Sequence, residues 1–170
     1  LSLSLNKNIY PFEVIGENDV FVPDSFKPFI NSLVHVFRNC CDHGIEKKVT
    51  RILLNKNEVG TISCIFRKKL NFLFIKIVDD GCGIDINVIK EKIVKCKLNQ
   101  KEVLDTLNKD EILKYIFDTH FSTKEITSEV SGRGIGLAAV KIELEKLNGQ
   151  VEIDTEINKG TSFNFKIPLI

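Results

Sequence analysis

Apolar and polar residues separate at the period of an α-helix along residues 29–46. At about 100° per residue, this stretch predicts a helix with an apolar face and a polar face on opposite sides. The apolar face would contain Ile30, Leu33, Phe37, Cys40 and Cys41. The polar face would contain His35, Arg38, Asn39 and Asp42.

The four polar side chains differ from the Lys and Glu residues that usually cover an exposed helix face. Their spacing of i, i+3, i+4 and i+7 brings an imidazole, a guanidinium, an amide and a carboxylate together. Such a mixture suits a metal-bound polyphosphate. A lone Asn or His on a helix is more often solvated or capping, so this helix alone leaves a functional and a structural interpretation open.

Runs of β-rich residues predict strands on both sides of this helix and at the end of the chain. Two hairpins are expected, one with its turn at residues 68–70 and the other with its turn at residues 158–160. The predicted strands are residues 9–15, 20–22, 59–67, 71–78, 150–157 and 161–169. Residues 46–58, between the helix and the first hairpin, are expected to form a polar connector.

Two further helices are predicted from their end signals. Asp85 is a suitable N-cap for a helix over residues 86–97. A glycine-rich stretch leads into a last helix that would run to residue 147, with Asn148 and Gly149 as its C-cap.

Residues 99–117 are expected to hold two short helices. Asn99 stands three residues before Glu102, and Asn108 stands three residues before Glu111. Each pair has the pattern of a capping box, in which a polar side chain and an acid satisfy the first free N–H groups of a helix.

Composition and charge narrow the class of protein. The chain has 170 residues, of which 43% are hydrophobic and 28% are charged, as expected for one globular domain. Its net charge of +1 gives no reason to expect a nucleic acid or an anionic membrane as partner. Five cysteines without a CxxC pair do not resemble a disulfide framework, and no apolar run is long enough to cross a bilayer. We therefore expect a cytoplasmic domain with no membrane contact of its own, which leaves membrane association of a parent protein open.

Asp79 ends one of the predicted strands and is followed by Gly81 and Gly83. Glycines at this point allow the backbone to approach a flat ligand closely. An ionised carboxylate only accepts hydrogen bonds, so Asp79 can receive one from an exocyclic amino group such as that of adenine. A turn followed by a helix N-cap explains the same residues equally well.

A second glycine-rich stretch stands directly before a predicted helix, where free N–H groups and the helix dipole favour anions. It consists of Gly132, Arg133, Gly134, Ile135 and Gly136. Its spacing is not the dinucleotide-binding fingerprint, and the chain contains no GxxxxGK[ST] motif. Residues 118–131 are polar and irregular, as expected of a mobile flap, in which Ser122, Thr123 and Lys124 could close over phosphates.

Four of these stretches occur in the order HxxxNxxDHG, DDGCGID, FSTKE and GRGIGLAAVK. In this order they resemble the N, G1, F and G2 boxes of the GHKL superfamily of ATP-binding domains. The runs RNCCDHGIE, NKDEILKYIF and SEVSGRGIG are similar in more detail to the catalytic domain of chemotaxis-type histidine kinases. The resemblance covers about residues 14–169.

The resemblance implies a Bergerat-type ATP-binding fold, an α/β (α+β) two-layer sandwich in which helices cover one face of a mixed β-sheet. It implies one domain over residues 1–170, with its core at residues 14–169 and an insert and flexible ATP lid at residues 97–131. ATP and Mg²⁺ are the implied cofactors, bound between the helices and the lid.

The resemblance also implies roles for residues at the phosphate end of the site. Asn39 would hold Mg²⁺ and would be a catalytic residue together with His35. Arg38 and His43 would line the phosphates, and Asp42 would line the site or orient its neighbours.

At the other end of the implied site, Asp79 would bind the adenine amino group, and Gly81 and Gly83 would shape the base pocket. The lid residues would close on the phosphates. These lid residues are Ser122, Thr123, Lys124, Gly132, Arg133, Gly134, Ile135 and Gly136.

The implied function is transfer of the γ-phosphoryl group of Mg-ATP to a histidine on another domain or chain. His35 favours a kinase, because the hydrolases of the superfamily carry a water-activating Glu at the corresponding position. Two alternatives stay open, a nucleotide-gated regulatory module without phosphotransfer and a GHKL-type ATP hydrolase. The implied partners are a histidine phosphoacceptor domain and a downstream response regulator, and the parent protein would be a homodimer.

Overall fold

A five-stranded mixed sheet forms one layer of the computed structural model, which describes residues 7–16, 22–121 and 136–169. The strands are β1 (Glu13–Gly16), β2 (Ile62–Lys69), β3 (Phe72–Asp79), β4 (Gln150–Glu156) and β5 (Gly160–Pro168). Their order is β1-β2-β3-β5-β4, and only the pair of β1 and β2 is parallel. Both predicted hairpins are therefore confirmed.

The sheet differs from the sequence prediction at its first turn and at its N-terminal edge. Lys68 and Lys69 extend β2 and pair with β3, so the turn consists of Leu70 and Asn71 alone. The N-terminal strand is shorter than predicted, because Ile9 makes only an isolated bridge, with Gly60. The strand predicted at residues 20–22 lies largely outside the described residues.

Seven α-helices are present among the described residues. They are α1 (Lys27–Ser32), α2 (Val34–Asn39), α3 (Lys48–Leu53), α4 (Ile86–Lys95), α5 (Lys101–Leu104), α6 (Lys109–Leu113) and α7 (Gly136–Lys146). Short 3₁₀ turns occupy Asp24–Phe26 and Lys114–Phe117, and a π-helical turn occupies Cys40–Gly44. The predicted polar connector therefore contains a helix, α3.

The long helix predicted at residues 29–46 exists, but it is divided into α1, α2 and the π-helical turn. The buried stripe runs through Phe26, Phe29, Leu33, Val36 and Cys40, at the spacing of one helix face. Ile30 and Phe37 of the predicted apolar face are only partly buried, and both pack against the core. Phe37 also stacks on Phe12, with ring centroids 5.2 Å apart.

Most of the predicted caps are confirmed. The Asp85 side chain accepts from the Asn87 N–H at 2.8 Å, and Asn108 and Glu111 form a complete capping box. At the end of α7, Asn148 adopts a positive φ of 52° and the helix closes in the expected way. The cap predicted at Asn99 was wrong, because its amide instead contacts the Gln100 N–H and the Tyr115 hydroxyl.

Helices cover one face of the sheet and thereby confirm the two-layer α/β sandwich. Alternate residues of β3 and β5 point into the interface and are buried, namely Leu73, Ile75, Ile77, Phe163, Phe165 and Ile167. Phe29 of α1 packs edge-on against Phe165 at 5.4 Å, and Phe117 packs against Phe163 at 6.5 Å. Across the described residues, no helix is both long and apolar enough to cross a membrane.

Candidate functional site

A cavity of 490 Å³ lies between the π-helical turn, the end of β3, α4 and the start of α7. Much of its wall is apolar, formed by Ile84, Val88, Ile89, Ile116, Phe121, Leu137 and Phe163. Polar groups are fewer and come from Asn39, His43, Asp79, Asp85, Lys92 and Thr161. A largely apolar cleft with a few convergent polar groups is the usual form of a small-molecule site.

Asp79 forms the most buried polar part of this wall, with only 3% of its surface exposed. Its Oδ1 accepts from the Gly81 N–H at 2.9 Å. Burial raises the pKa of Asp79, and hydrogen-bonding groups of Gly81, Cys40 and Thr161 oppose that shift. The group is thus a desolvated carboxylate in the cavity wall.

The backbone around the end of β3 requires glycine at two positions, Gly83 and Gly160. Gly83 has a φ of 73°, and a Cβ there would overlap the Glu156 carbonyl oxygen. Gly160, with a φ of 116°, lies against the Asp79 carbonyl group in the same manner. Both positions therefore combine a left-handed backbone with contact distances that exclude a side chain.

A buried ion network supports the same turn from behind. Arg51, whose side chain is 1% exposed, pairs with Glu46 at 2.9 Å and with Asp80 at 2.8 Å. Lys56 bonds to Glu46 and to the Gly81 carbonyl oxygen, both at 2.8 Å. Buried charges are tolerated in a folded protein when each is paired with an opposite charge. Because Asp80 and Gly81 are bound to this network, it holds residues 79–81 in one position.

The residues predicted at the phosphate end of the site are only partly brought to the cavity. Asn39 and His43 line it, whereas His35, Arg38 and Asp42 do not. His35 lies one helical turn before Asn39 and is partly buried. Its pKa is lowered, first by burial and then by the Arg38 charge, which favours a neutral imidazole at pH 7.

Asp42 has an unusual carboxylate for its position. Its Oδ1 is buried, and no described residue donates a hydrogen bond to it. Lys7 comes close but donates to the backbone carbonyl of Asp42 instead of its side chain, at 2.8 Å. An orphaned acceptor next to a cavity is a place where a water molecule or a ligand group can complete the hydrogen bonding.

The described part of the predicted lid ends at a buried aromatic residue, Phe121. Phe121 lines the cavity, and the Lys92 ammonium lies 4.3 Å from the centre of its ring. Gly136, the first residue of α7, also lines the cavity. The other predicted lid residues, Ser122, Thr123, Lys124, Gly132, Arg133, Gly134 and Ile135, lie outside the described residues.

Of the two glycines predicted to shape the base pocket, Gly83 lines the cavity and Gly81 does not. Gly81 lies behind the wall, where its N–H holds the Asp79 carboxylate. Its effect on the cavity is therefore indirect.

Four residues lie at the cavity in positions that sequence reasoning missed. Thr161 is directly opposite Asp79 in the pairing of β5 with β3, and Lys92 is on α4. Cys40 and Gly44 belong to the π-helical turn, where Gly44 lies close enough that a Cβ would be 3.2 Å from the Asp79 carboxylate. The pairing of the two strands could have revealed Thr161, but the other contacts depend on tertiary packing.

The walls suit a flat apolar ring whose amino group reaches Asp79, and they also offer an amide, an imidazole and an ammonium group. A nucleotide requires both an apolar surface for its base and polar groups for its phosphates. The fold and the cavity thus define an α/β nucleotide-binding domain.

Comparison with known proteins agrees with this class. Residues 30–170 match the family described as histidine kinase-, DNA gyrase B- and HSP90-like ATPases. The chain belongs to this family, which confirms the superfamily resemblance carried by the four boxes.

Individual relatives narrow the similarity to chemotaxis kinases. The chain is 38% identical to the sensor histidine kinase CheAY of Helicobacter pylori over 169 residues, covering 99% of this chain and 21% of that protein. It is 38% identical to the chemotaxis protein CheA of Borreliella burgdorferi, with coverages of 99% and 19%. The chain therefore spans about a fifth of the length of these curated relatives.

Solved structures of histidine kinases have the same fold. The catalytic domain of histidine kinase ThkA, in a nucleotide-free form, matches with a TM-score of 0.57 at 19% identity, covering 98% of this chain and 82% of that one. The blue-light activated histidine kinase of Erythrobacter litoralis matches with a TM-score of 0.55 at 14% identity, with coverages of 99% and 39%. These matches confirm the predicted fold class.

Proposed function

We propose that this chain is the ATP-binding catalytic domain of a chemotaxis-type histidine kinase and that it donates the γ-phosphoryl group of Mg-ATP to a histidine elsewhere. One observation carries the proposal: Asn39 and Asp79, which are 40 positions apart in the sequence, line the same cavity. One offers an amide for a metal-bound phosphate, and the other offers an acceptor for the adenine amino group.

At the base end, the Asp79 carboxylate would accept from the adenine amino group while Ile84, Ile89 and Phe163 contact the ring. Gly81 and Gly83 would keep the backbone close to the base. A buried acceptor of this kind discriminates strongly, because a base without a donor at that position leaves the carboxylate unpaired.

At the phosphate end, Asn39 would provide an amide oxygen to Mg²⁺, with His43 and Lys92 beside it on the cavity wall. A single amide fits this ion, because Mg²⁺ keeps several waters and shares phosphate oxygens instead of using an all-protein cage. When bound, Mg²⁺ neutralises charge on the phosphates and orients them. Arg38, Asp42, Ser122, Thr123, Lys124 and residues 132–136 would complete this end in the nucleotide-bound state.

Phosphoryl transfer needs positioning and charge neutralisation more than covalent help from the protein. The bond between the γ-phosphorus and the β–γ bridging oxygen breaks, a P–N bond to the acceptor imidazole forms, and ADP leaves. His35, whose pKa is lowered by burial and by Arg38, would occupy the position of the carboxylate that a hydrolase of the superfamily uses to activate water. This difference favours an acceptor imidazole over water as the nucleophile.

The acceptor would be a histidine phosphoacceptor domain of the same or another chain, with a response regulator downstream and a homodimeric parent protein. The chemotaxis relatives, which are named as sensor histidine kinase and chemotaxis proteins, support this class of partner. We infer a cytoplasmic location, since ATP is available there and the five cysteines stay reduced.

Labelled ATP tests the proposal. The purified chain is incubated with γ-labelled Mg-ATP and the histidine phosphoacceptor domain of its parent protein, with Asn39→Ala as a matched control. We expect an acid-labile phosphoprotein whose formation depends on Asn39. Release of labelled inorganic phosphate without phosphoprotein would instead identify a hydrolase, and tight binding without either product would identify a regulatory module.

A further inference from the structure

Three buried polar residues, Thr155, Thr161 and Asp79, form one row across neighbouring strands. The strand pairing places Thr155 of β4 opposite Thr161 of β5, and Thr161 opposite Asp79 of β3. Residues paired in this way share one face of the sheet, and here their exposed fractions are 8%, 6% and 3%. Thr161 and Asp79 line the cavity, whereas Thr155 lies one strand further away and does not.

The Thr155 hydroxyl group joins three parts of the site. It accepts a hydrogen bond from the Ile84 N–H at 2.8 Å, and Ile84 is in the cavity wall. It also lies 3.2 Å from the Gly160 carbonyl oxygen and 3.2 Å from the Thr161 hydroxyl oxygen. One buried hydroxyl group therefore connects the segment after β3, the start of β5 and a residue of the cavity.

Contacts of the backbone hold Thr155 itself in place. Thr155 is part of the paired region of β4 and β5. Its carbonyl oxygen accepts from the ammonium group of Lys109, the first residue of α6, at 2.5 Å. The hydroxyl group can therefore rotate, but its position is fixed by the sheet and by α6.

A count of protons shows how Thr155 acts on Thr161. A hydroxyl group has one proton and two lone pairs, and one lone pair of Thr155 is used by the Ile84 N–H. If Thr155 donates to Gly160, its other lone pair can accept the proton of Thr161. If Thr155 donates to Thr161 instead, the Thr161 proton is left for a group in the cavity. The second arrangement supplies a donor beside the acceptor Asp79.

We propose that Thr155 is a positioning residue for base recognition, which donates to the Thr161 hydroxyl group and so directs the Thr161 proton to a purine ring nitrogen. This inference rests on the proposed nucleotide-binding function and deepens it. In adenine, N1 adjoins the carbon that bears the amino group. A base whose amino group reaches Asp79 therefore brings N1 close to the residue opposite Asp79, which is Thr161.

A pair of nucleotides and a set of hydroxyl variants test this role. Binding of ADP is compared with binding of 1-deazaadenosine 5′-diphosphate, in which a C–H group replaces N1, by isothermal titration calorimetry in magnesium buffer. Thr155→Val removes the hydroxyl group, and Thr155→Ser retains it. Ser32→Ala is the matched control, because Ser32 is also 8% exposed and donates to the Phe29 carbonyl oxygen at 2.6 Å but does not line the cavity.

We expect Thr155→Val to weaken ADP binding about fivefold, the value of one typical hydrogen bond. The same variant should bind the deaza nucleotide as the wild type does, because that ligand has no N1 for Thr161 to reach. Thr155→Ser and Ser32→Ala should retain wild-type affinity for ADP. If Thr155→Val unfolds the chain, Thr155→Ala also removes the hydroxyl group and carries the same expectation.

Three results would overturn the inference. Equal losses for both nucleotides would show that Thr155 only supports the fold, and unchanged ADP affinity in a folded variant without the hydroxyl group would show that Thr161 does not need it. Equal affinity of the wild type for the two nucleotides would show that N1 is not bound. A wild-type chain that binds neither nucleotide would overturn the proposed function as well, and this outcome is distinct from the other three.

Discussion

The backbone of Gly81 lies directly against the carbonyl group of Gly44, so that a Cβ at position 81 would overlap this oxygen. The same Cβ would come within 2.8 Å of Oδ1 of Asp79. One glycine thus joins the π-helical turn to the turn after β3, the two segments that carry the proposed base end of the site.

Gly81→Ala should therefore damage binding and stability together. Overpacking of this kind costs about 1–3 kcal/mol in the free energy of unfolding, and the displaced Asp79 should weaken ADP binding. Chemical denaturation and calorimetry measure the two effects. Gly16→Ala is the control, since its Cβ would be 3.2 Å from the Phe66 Cβ in an edge strand remote from the cavity. Wild-type ADP affinity in Gly81→Ala would contradict the proposed arrangement.

Arg51 should contribute more to stability than an exposed basic residue. Replacing it by Met leaves the buried Glu46 with Lys56 alone from this network and removes the cation beside Asp80. By analogy with other buried pairs, this costs about 3–5 kcal/mol in the free energy of unfolding. Lys48→Met provides the comparison, because its pair with Glu58 is half-exposed and such pairs contribute about 0–1 kcal/mol. Urea unfolding of both variants is the measurement, and equal losses would contradict the role of the network.

His35 should make the free energy of unfolding depend on pH. Since its pKa is lowered in the folded state, the unfolded chain binds a proton more readily below the ordinary value of 6.5. The contribution of His35 to the free energy of unfolding is fully present above pH 6.5 and decreases as the pH falls below this value. In His35→Gln the free energy of unfolding should change less steeply with pH in that window, while His120→Gln alters an exposed imidazole as control. NMR titration of the His35 imidazole checks the cause, and a midpoint above 6.5 would contradict it.

Lys92 should contribute to binding of the phosphates. Its ammonium lies at the cavity wall beside Phe121, where a polyphosphate would gain from a nearby positive charge. Lys92→Ala should weaken ADP about threefold to tenfold, and less at high salt. Lys90→Ala, on the same helix but paired with Asp105 at 2.9 Å, is the matched control. An equal loss for adenosine, which has no phosphates, would show that Lys92 acts on something else.

Local signals explain why much of the fold was predictable from sequence. Period-two runs with short polar turns located both hairpins, and Asp85 and Asn108 marked helix starts because their side chains satisfy N–H groups a few residues away. The π-helical turn at Cys40–Gly44 was not predictable, because an amphipathic pattern does not reveal where the hydrogen bonds of a helix widen to i→i+5.

Some residues of the candidate site could likewise be predicted from the sequence, and others could not. Asn39, Asp79 and Gly83 could be predicted, since each combines a residue type with a position at a helix face or a strand end. Arg51 was predicted only as part of a polar connector, and its burial depends on partners 5 and 29 positions away. Cys40 and Asp79 likewise come to the same cavity only after the helices pack on the sheet.

Magnesium-dependent ADP binding, measured by calorimetry for the wild type, Asn39→Ala and Asn71→Ala, tests the central claim most directly. Asn71 is in the turn between β2 and β3, remote from the cavity, and serves as the control. The account predicts that the wild type and Asn71→Ala bind ADP more tightly with Mg²⁺ than with a chelator, and that Asn39→Ala loses this gain. Equal affinities for the wild type and Asn39→Ala in the presence of Mg²⁺ would contradict it.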